Sequence, residues 1–156
     1  MNDIDPTKPF SIKRPIRFTH TDPAGYVFFP RYFEMFQAVV EDWFTKRLDT
    51  NFADMILVQG IGQPTAQLDC QFVKPCRLGE SIEMAIVLEK FGTSSFELRF
   101  LGTVEGEVRL RAHSVQVLIS METGRPTPFS DHLRAELEAY HSQVIPPENL
   151  LDEVRR

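Results

Sequence analysis

A chain of 156 residues, 42% hydrophobic and 25% charged, is long enough for one globular domain with a sizeable core. Its formal net charge of −5 excludes a general binder of nucleic acid or of an anionic membrane surface, which needs a basic face, while leaving room for a small anionic ligand held by a local patch. No apolar run reaches the length of a membrane span, and Met1 to Pro9 is polar with no hydrophobic secretory core, so a cytoplasmic location is expected.

Residues 1–11, with Pro6 and Pro9, read as a flexible N-terminal tail. Ile12, Ile16 and Phe18 then alternate with Lys13, Arg17 and Thr19, a period-two strand that Pro15 places at an edge or bulge. Asp22-Pro23-Ala24-Gly25 ends it: Asp bonds its own backbone, Pro presets φ and Gly supplies a permissive φ. A helix is predicted over about 30–48. Pro30 suits a first helical turn. Tyr32, Phe33, Met35, Phe36, Val39, Val40, Trp43, Phe44 and Leu48 form a wide apolar face, and Glu34, Gln37, Glu41 and Thr45 fall on a narrower polar side. So broad an apolar face is covered most simply by a sheet.

A loop through Gly60 and Gly62 follows. Gly60-Ile61-Gly62 lacks the third glycine and the strand-to-helix setting of a dinucleotide site. Four strands are predicted next, over 65–73, 81–91, 94–104 and 107–120, the last long enough to require curvature or a bulge. Gly92-Thr93 and Glu105-Gly106 read as hairpin turns. Ser130 is a good N-cap for a helix to about His141, and Pro146-Pro147 stops any continuation, leaving 144–156 as a tail. The whole is one α+β domain over 12–143, an antiparallel sheet of about five strands, in a meander, wrapped around one long helix. Cys70 and Cys76 have no companion His or Cys cluster, so they read as buried free thiols and no metal site is expected.

The chemistry concentrates at Asp22. A carboxylate in a tight turn just ahead of an apolar helix sits close to unpaired helix N-terminal amides, pairing a base or nucleophile with a site for a developing oxyanion. The plain alternative is a turn residue that bonds only its own backbone. Tyr26, Phe28, Phe29 and Phe33 supply an aromatic lining that favours an apolar group. His20, two residues before Asp22 in an extended segment, shares its face and can tune the carboxylate or contact a ligand, against a simple packing role. His113 reads as a sheet residue, and His132 and His141 as surface residues of the last helix. No Ser lies in a nucleophile elbow.

The run Phe18-Thr-His-Thr-Asp22-Pro-Ala-Gly25-Tyr-Val-Phe-Phe-Pro30-Arg-Tyr32, with the long helix behind it, resembles the hotdog-fold acyl-CoA thioesterases of the 4-hydroxybenzoyl-CoA thioesterase type. The likeness runs through Gly62-Gln63-Pro64, Phe72-Val73 and the Lys90-Phe91 to Ser95-Phe96 hairpin, covering roughly residues 12–120. It implies a hotdog fold and a homodimer, paired into a dimer of dimers (a homotetramer), with active sites between subunits. It implies Asp22 as the catalytic carboxylate, the Phe29 backbone N–H as the donor that polarises the thioester carbonyl, and Gly62, Gln63 and Pro64 approaching from the partner chain. Substrate contacts fall to His20, Tyr26 and Gln37.

The departures from the family pattern narrow this. Phe29 stands where many relatives carry Tyr or His, so only its amide is polar. Gln37 stands where members acting on hydroxylated aromatic acyl groups can carry an acid. The hairpin lacks the basic cluster that meets the nucleotide end of CoA in some relatives, leaving Thr93, Ser94 and Ser95 as neutral donors and Lys74, Arg77 and Lys90 as substitutes. The expected function is hydrolysis of an acyl-CoA to a free acid and CoA, with no cofactor beyond the CoA of the substrate. The alternatives are a non-catalytic acyl or CoA binding protein and a hotdog hydratase or dehydratase.

Overall fold

The computed structural model describes residues 5–150; residues 1–4 and 151–156, the outer parts of the two expected tails, lie outside them. Period-two alternation builds a five-stranded antiparallel sheet from β1 (Phe10–Pro15), β3 (Thr65–Phe72), β4 (Ser81–Phe91), β5 (Ser95–Val104) and β6 (Glu107–Val117), in the order β1-β4-β5-β6-β3. A short pair, β2 (Ile61–Gly62) and β7 (Ile119–Ser120), stands beside it. One face of the sheet is apolar: Ile82, Met84, Ile86 and Leu88, Phe96, Leu98 and Phe100, and Leu110 and Ala112 are all buried.

Against that face lies α1 (Pro30–Asp42), extended by a π-type turn over Trp43–Arg47. Tyr32, Phe36, Val39, Val40, Trp43, Phe44 and Leu48 are buried along it, and Phe36 stacks on Phe100 with ring centroids 4.7 Å apart. Each such side chain contributes on the order of 1.5–3 kcal/mol on burial. The sheet thus wraps one long helix, the hotdog arrangement that the sequence resemblance implies.

Several details differ from the reading of the sequence. The expected four-strand meander is a three-strand one. β4, β5 and β6 follow one another, whereas β3 pairs with β6 at the far edge. The connection over 73–80 must therefore cross from one edge region to the other. The last strand breaks at Leu118, which is buried, into β6 and β7. The loop before β2 contains a short helix, α2 (Phe52–Leu57), which Asn51 caps by accepting from Asp54 N–H. The Glu105-Gly106 turn has φ of 49° and 81°, the paired positive values of a type I′ hairpin.

The packed body also reaches past the expected limits of 12 and 143. β1 begins at Phe10, whose N–H donates to Tyr140 Oη at 2.9 Å, and that hydroxyl donates to Ile86 O. Tyr140 lies on α3 (Asp131–Gln143), capped by Ser130 as anticipated. Ile145 N–H donates to Thr7 O at 2.8 Å, and Leu150 is buried against Val87 and Leu101 on the outer face of the sheet. The described parts of both tails are thus tied down. Among the described residues no helix is long and apolar enough to cross a membrane.

Candidate active site

Asp22 closes its own turn. Its carbonyl accepts from Gly25 N–H at 3.0 Å, and its Oδ1 accepts from Ala24 N–H at 2.9 Å and Tyr26 N–H at 3.4 Å. Gly25 stands at φ 81°, a conformation open to glycine at no steric cost. Asp22 N–H donates to Tyr26 O, and Thr21 bridges to Val27. The carboxylate is half-buried and, as the plain reading held, serves its turn. One oxygen receives both of those bonds, and Oδ2 has no partner among the described residues.

The turn is held from outside by the 73–80 crossover. Val27 N–H donates to Cys76 O at 2.9 Å, Leu78 N–H to Gly25 O at 3.0 Å and Ile16 N–H to Glu80 O at 2.8 Å. Cys76 N–H donates in turn to the buried Tyr32 Oη at 3.1 Å. The crossover is pinned by Arg109, a buried cation of β6 that sequence reasoning passed over. Its guanidinium donates to both oxygens of Glu80 (2.9 and 2.7 Å), to Glu107 (2.8 Å) and to Pro75 O (3.0 Å). The Glu80 hydrogen bonds hold the Arg109 pKa above its ordinary value, and the Arg109 bond holds the Glu80 carboxyl below its own. Burial pushes the Tyr32 phenol well up, so Tyr32 is a fixed anchor and not a base. Burial likewise raises both thiols, Cys70 to about 11. Cys76 is buried as expected and Cys70 only half-buried.

The start of α1 presents a single free amide. Pro30 at the first helical position has no N–H. Arg31 N–H is taken by Phe28 O and Tyr32 N–H by Phe29 O, while Phe28 N–H donates back to His20 O. Only Phe29 N–H has no acceptor among the described residues. Four rings gather about it: Phe29 lies 5.6 Å from Phe28, 6.2 Å from Phe33 and 6.3 Å from Phe72. All four rings are substantially exposed in the isolated chain.

The remaining expected residues divide. His20 Nδ1 accepts from Arg17 N–H at 2.8 Å, so the ring caps a 3₁₀ turn and makes no hydrogen bond to Asp22. Tyr26 lies under Arg77, whose guanidinium sits 5.1 Å above the ring and donates to the hydroxyl at 2.9 Å. Gln37 opens onto a cavity of about 230 Å³ between Phe33 and Phe36 of α1 and Phe100, Ser114 and Gln116 of the sheet. Gly62 packs against Ile119 in the β2–β7 pair. Gln63 donates to Gln116 Oε1, and Pro64 O accepts from Val117 N–H.

At the β4–β5 hairpin, Thr93, Ser94 and Ser95 spend their carbonyls on Phe129, Leu118 and Gly92, and their hydroxyls have no partner among the described residues. Arg134 of α3, which sequence spacing could not place here, donates to Gly92 O at 2.7 Å. Lys74 and Lys90 are paired with Glu107 and Glu97. Arg77 has no carboxylate at ion-pair distance among the described residues. On the outer sheet face His113 lies 3.3 Å from both Glu89 and Glu97, whose other partners are Arg99 and Lys90. His132 and His141 bond the carbonyls of Asp49 and Glu89.

The comparisons with known proteins agree with this architecture. The thioesterase-like superfamily matches residues 16–137. A 1,4-dihydroxy-2-naphthoyl-CoA hydrolase of Thermosynechococcus vestitus is 24% identical over 137 residues, covering 87% of this chain and 93% of that one. Among solved structures, a 1,4-dihydroxy-2-naphthoyl-CoA thioesterase from Synechocystis superposes with a TM-score of 0.75 at 18% identity, over 82% of this chain and 94% of that one. A gentisyl-coenzyme A thioesterase superposes with a TM-score of 0.74 at 21% identity, over 82% and 99%.

Proposed function

The chain belongs to the thioesterase-like superfamily, and on that footing we propose that it hydrolyses an acyl-CoA to a carboxylic acid and CoA. The observation that carries the proposal is a carboxylate with one oxygen open, in a turn that feeds directly into a helix whose first turn has one free amide, that of Phe29. The amide and the helix dipole stabilise negative charge as the carbonyl is attacked. Asp22 either attacks the carbonyl carbon itself, giving a mixed anhydride that water then opens, or takes a proton from the attacking water. In both routes CoA leaves as a thiolate, a good leaving group, so no strong general acid is required. His20, committed through Nδ1 to Arg17, offers no His–acid pair with Asp22, which counts against a hydratase or dehydratase.

The acyl group we propose is aromatic. The rings of Phe28, Phe29, Phe33 and Phe72 and the names borne by the relatives support that choice. Thr93, Ser94 and Ser95, with Arg134 as a nearby cation, are the proposed contacts of the nucleotide portion. A homodimer is proposed through β3, an eight-residue edge strand with no proline, since a long open edge beside exposed aromatic rings invites a partner. Gly62 to Pro64 of the partner would then complete the site. Two dimers pairing into a tetramer remains part of the proposal, and light scattering reads both steps.

The test is thiol release from benzoyl-, hydroxybenzoyl-, phenylacetyl- and straight-chain acyl-CoAs. The wild type should release thiol from at least one of them far faster than Asp22→Ala does. Equal rates on every substrate would overturn the enzyme reading in favour of a binding protein. That second reading draws on the turn bonds of Asp22 and the apolar Phe29 side chain. Single turnover in heavy-oxygen water separates the two routes, because label on Asp22 requires the anhydride.

A further inference from the structure

We propose that Tyr32 is a positioning residue: its hydroxyl, together with the Arg109 clamp, holds the Cys76 peptide, and that peptide fixes the Phe29 amide relative to the Asp22 turn. The inference rests on the thioesterase reading and adds to it two buried side chains that act on the reacting groups through a third segment.

The turn and the helix are separate bonded units. Phe28 N–H donates to His20 O, Asp22 N–H to Tyr26 O and Gly25 N–H to Asp22 O, which closes the turn on itself. Arg31 N–H and Tyr32 N–H donate to the carbonyls of Phe28 and Phe29, which begins α1. Among the described residues the backbone of the two units meets only through Phe28 and Phe29, and each such residue carries two soft dihedrals. The Cys76 peptide closes this joint from outside. Its carbonyl accepts from Val27 N–H at 2.9 Å on the turn side, and its N–H donates to Tyr32 Oη at 3.1 Å on the helix side. The result is a closed circuit of bonds from Val27 along the chain to Tyr32 and back through Cys76, with the free amide of Phe29 inside it.

Packing alone does not account for the hydroxyl. Tyr32 is 3% exposed, and a buried phenol is retained at a cost unless its oxygen is bonded. Phe33, Phe36 and Phe44 fill the other ring positions of the same helix without one. Arg109 then makes the Cys76 peptide a firm anchor. Its guanidinium bonds Pro75 O on one side of Cys76 and both Glu80 oxygens on the other, and its own carbonyl accepts from Val73 and Lys74 N–H at 2.8 and 3.1 Å. The residues so bracketed are those that touch the turn: Cys76 at Val27, Arg77 at Tyr26 and Leu78 at Gly25. A reacting constellation must hold to within about 0.5 Å, and a misplacement of about 1 Å can cost on the order of 10²-fold in rate. A joint free at two residues does not give that precision, and a closed circuit does.

Tyr32→Phe removes one oxygen and keeps the ring. On an acyl-CoA that the wild type hydrolyses, kcat should fall about tenfold or more. KM, and the calorimetric affinity of a non-hydrolysable thioether analogue of that substrate, should stay within about twofold. Native-state hydrogen exchange at the Val27 amide should quicken about tenfold or more, because its acceptor is no longer held. Gly102→Ala, which crowds Leu110 and Ile82 in the sheet, is the stability control: it should lower the melting temperature and leave kcat within about twofold. Arg109→Lys keeps the charge and loses the fork. It should repeat the fall in kcat, and it carries the test if Tyr32→Phe does not fold. Folded variants with wild-type kcat, a parallel loss of kcat and analogue affinity, unchanged exchange at Val27, or an equal loss of kcat in Gly102→Ala would each overturn the inference and leave the thioesterase reading standing. A wild type that releases no thiol from any of the acyl-CoAs would overturn both.

Discussion

Phe29→Pro isolates the amide on which the proposed chemistry depends. Phe29 stands at φ −52°, within the range a proline ring imposes, and its N–H makes no bond within the described residues. The substitution therefore deletes one N–H without breaking an internal hydrogen bond or forcing φ. It also removes a ring that is 55% exposed, so Phe29→Ala is the control, losing the ring and keeping the amide. Because Pro30 has no N–H and the amides of Arg31 and Tyr32 are spent, no second donor in that turn can take over. Losing one oxyanion donor costs about 2.7–4 kcal/mol of barrier, which is ~10²–10³ in rate. The expected result is kcat about 10²–10³ lower for Phe29→Pro than for Phe29→Ala, with melting temperatures close to each other, measured by thiol release at saturating acyl-CoA. Equal kcat in the two variants would show that the amide does not hold the oxyanion, whatever either does relative to the wild type.

Asp22→Asn should abolish turnover, by on the order of 10³-fold or more, with little change in melting, because the Asn carbonyl oxygen can still accept from Ala24 and Tyr26. Arg109→Met should cost about 2–4 kcal/mol in urea unfolding, since it leaves Glu80 and Pro75 O without their donor. The same pair predicts a pH effect. The Glu80 carboxyl is held below its ordinary value of 4.5 chiefly by the Arg109 hydrogen bond, so its stabilisation is present above that pH and is lost as pH falls through the lower folded value. The unfolding free energy of the wild type should drop below about pH 4.5 more steeply than that of Arg109→Met, and matching slopes would refute the assignment. Gly102→Ala would place a methyl 2.9 Å from Leu110 Cγ and 3.1 Å from Ile82 Cδ1, an overpacking that costs about 1–3 kcal/mol by thermal or urea unfolding.

The strands and the long helix were legible because each has one dominant period. The alternation of β4 and β5 and the apolar stripe of α1 report burial on one face only, and the structure places those faces as read. Pairing order is another matter. Nothing in the run from Thr65 to Phe72 says which strand will flank it, because both neighbours offered the same kind of apolar face. β3 pairs with β6, and the crossover that follows β3 is tied back to β6 by Arg109. A lone arginine in a strand pattern reads as an outward charge, and only the convergence of Glu80, Glu107 and Pro75 O upon it reveals a buried anchor. The ends were missed for a similar reason. Phe10 and Leu150 lie in largely polar stretches, and their placement depends on distant partners, Tyr140 for one and Val87 with Leu101 for the other.

At the site, the turn and the helix start were legible as neighbours in the chain, whereas everything that qualifies them comes from afar. That Phe29 alone offers a free amide follows from Pro30 and from the 3₁₀-type bonds of Arg31 and Tyr32. The proline was readable and the bonds were not. Tyr26 reads as lining because an aromatic beside an Asp turn suggests an apolar wall, and the Arg77 guanidinium that lies over its ring comes from the crossover, which the sequence does not place there. Gln116 and Ser114 did carry a signal. They occupy inward positions of a strand whose other inward residues are apolar, and two polar residues in an otherwise apolar register conflict with simple core packing. Such a conflict marks a place where stability is given up for something else. In this fold Gln116 bonds a second amide, that of Gln63, and with Ser114 lines a cavity that lies along the same helix as the free amide of Phe29. Under the proposed function the helix start is the reacting end, and the distance from it to that polar wall bounds the acyl group that can reach both.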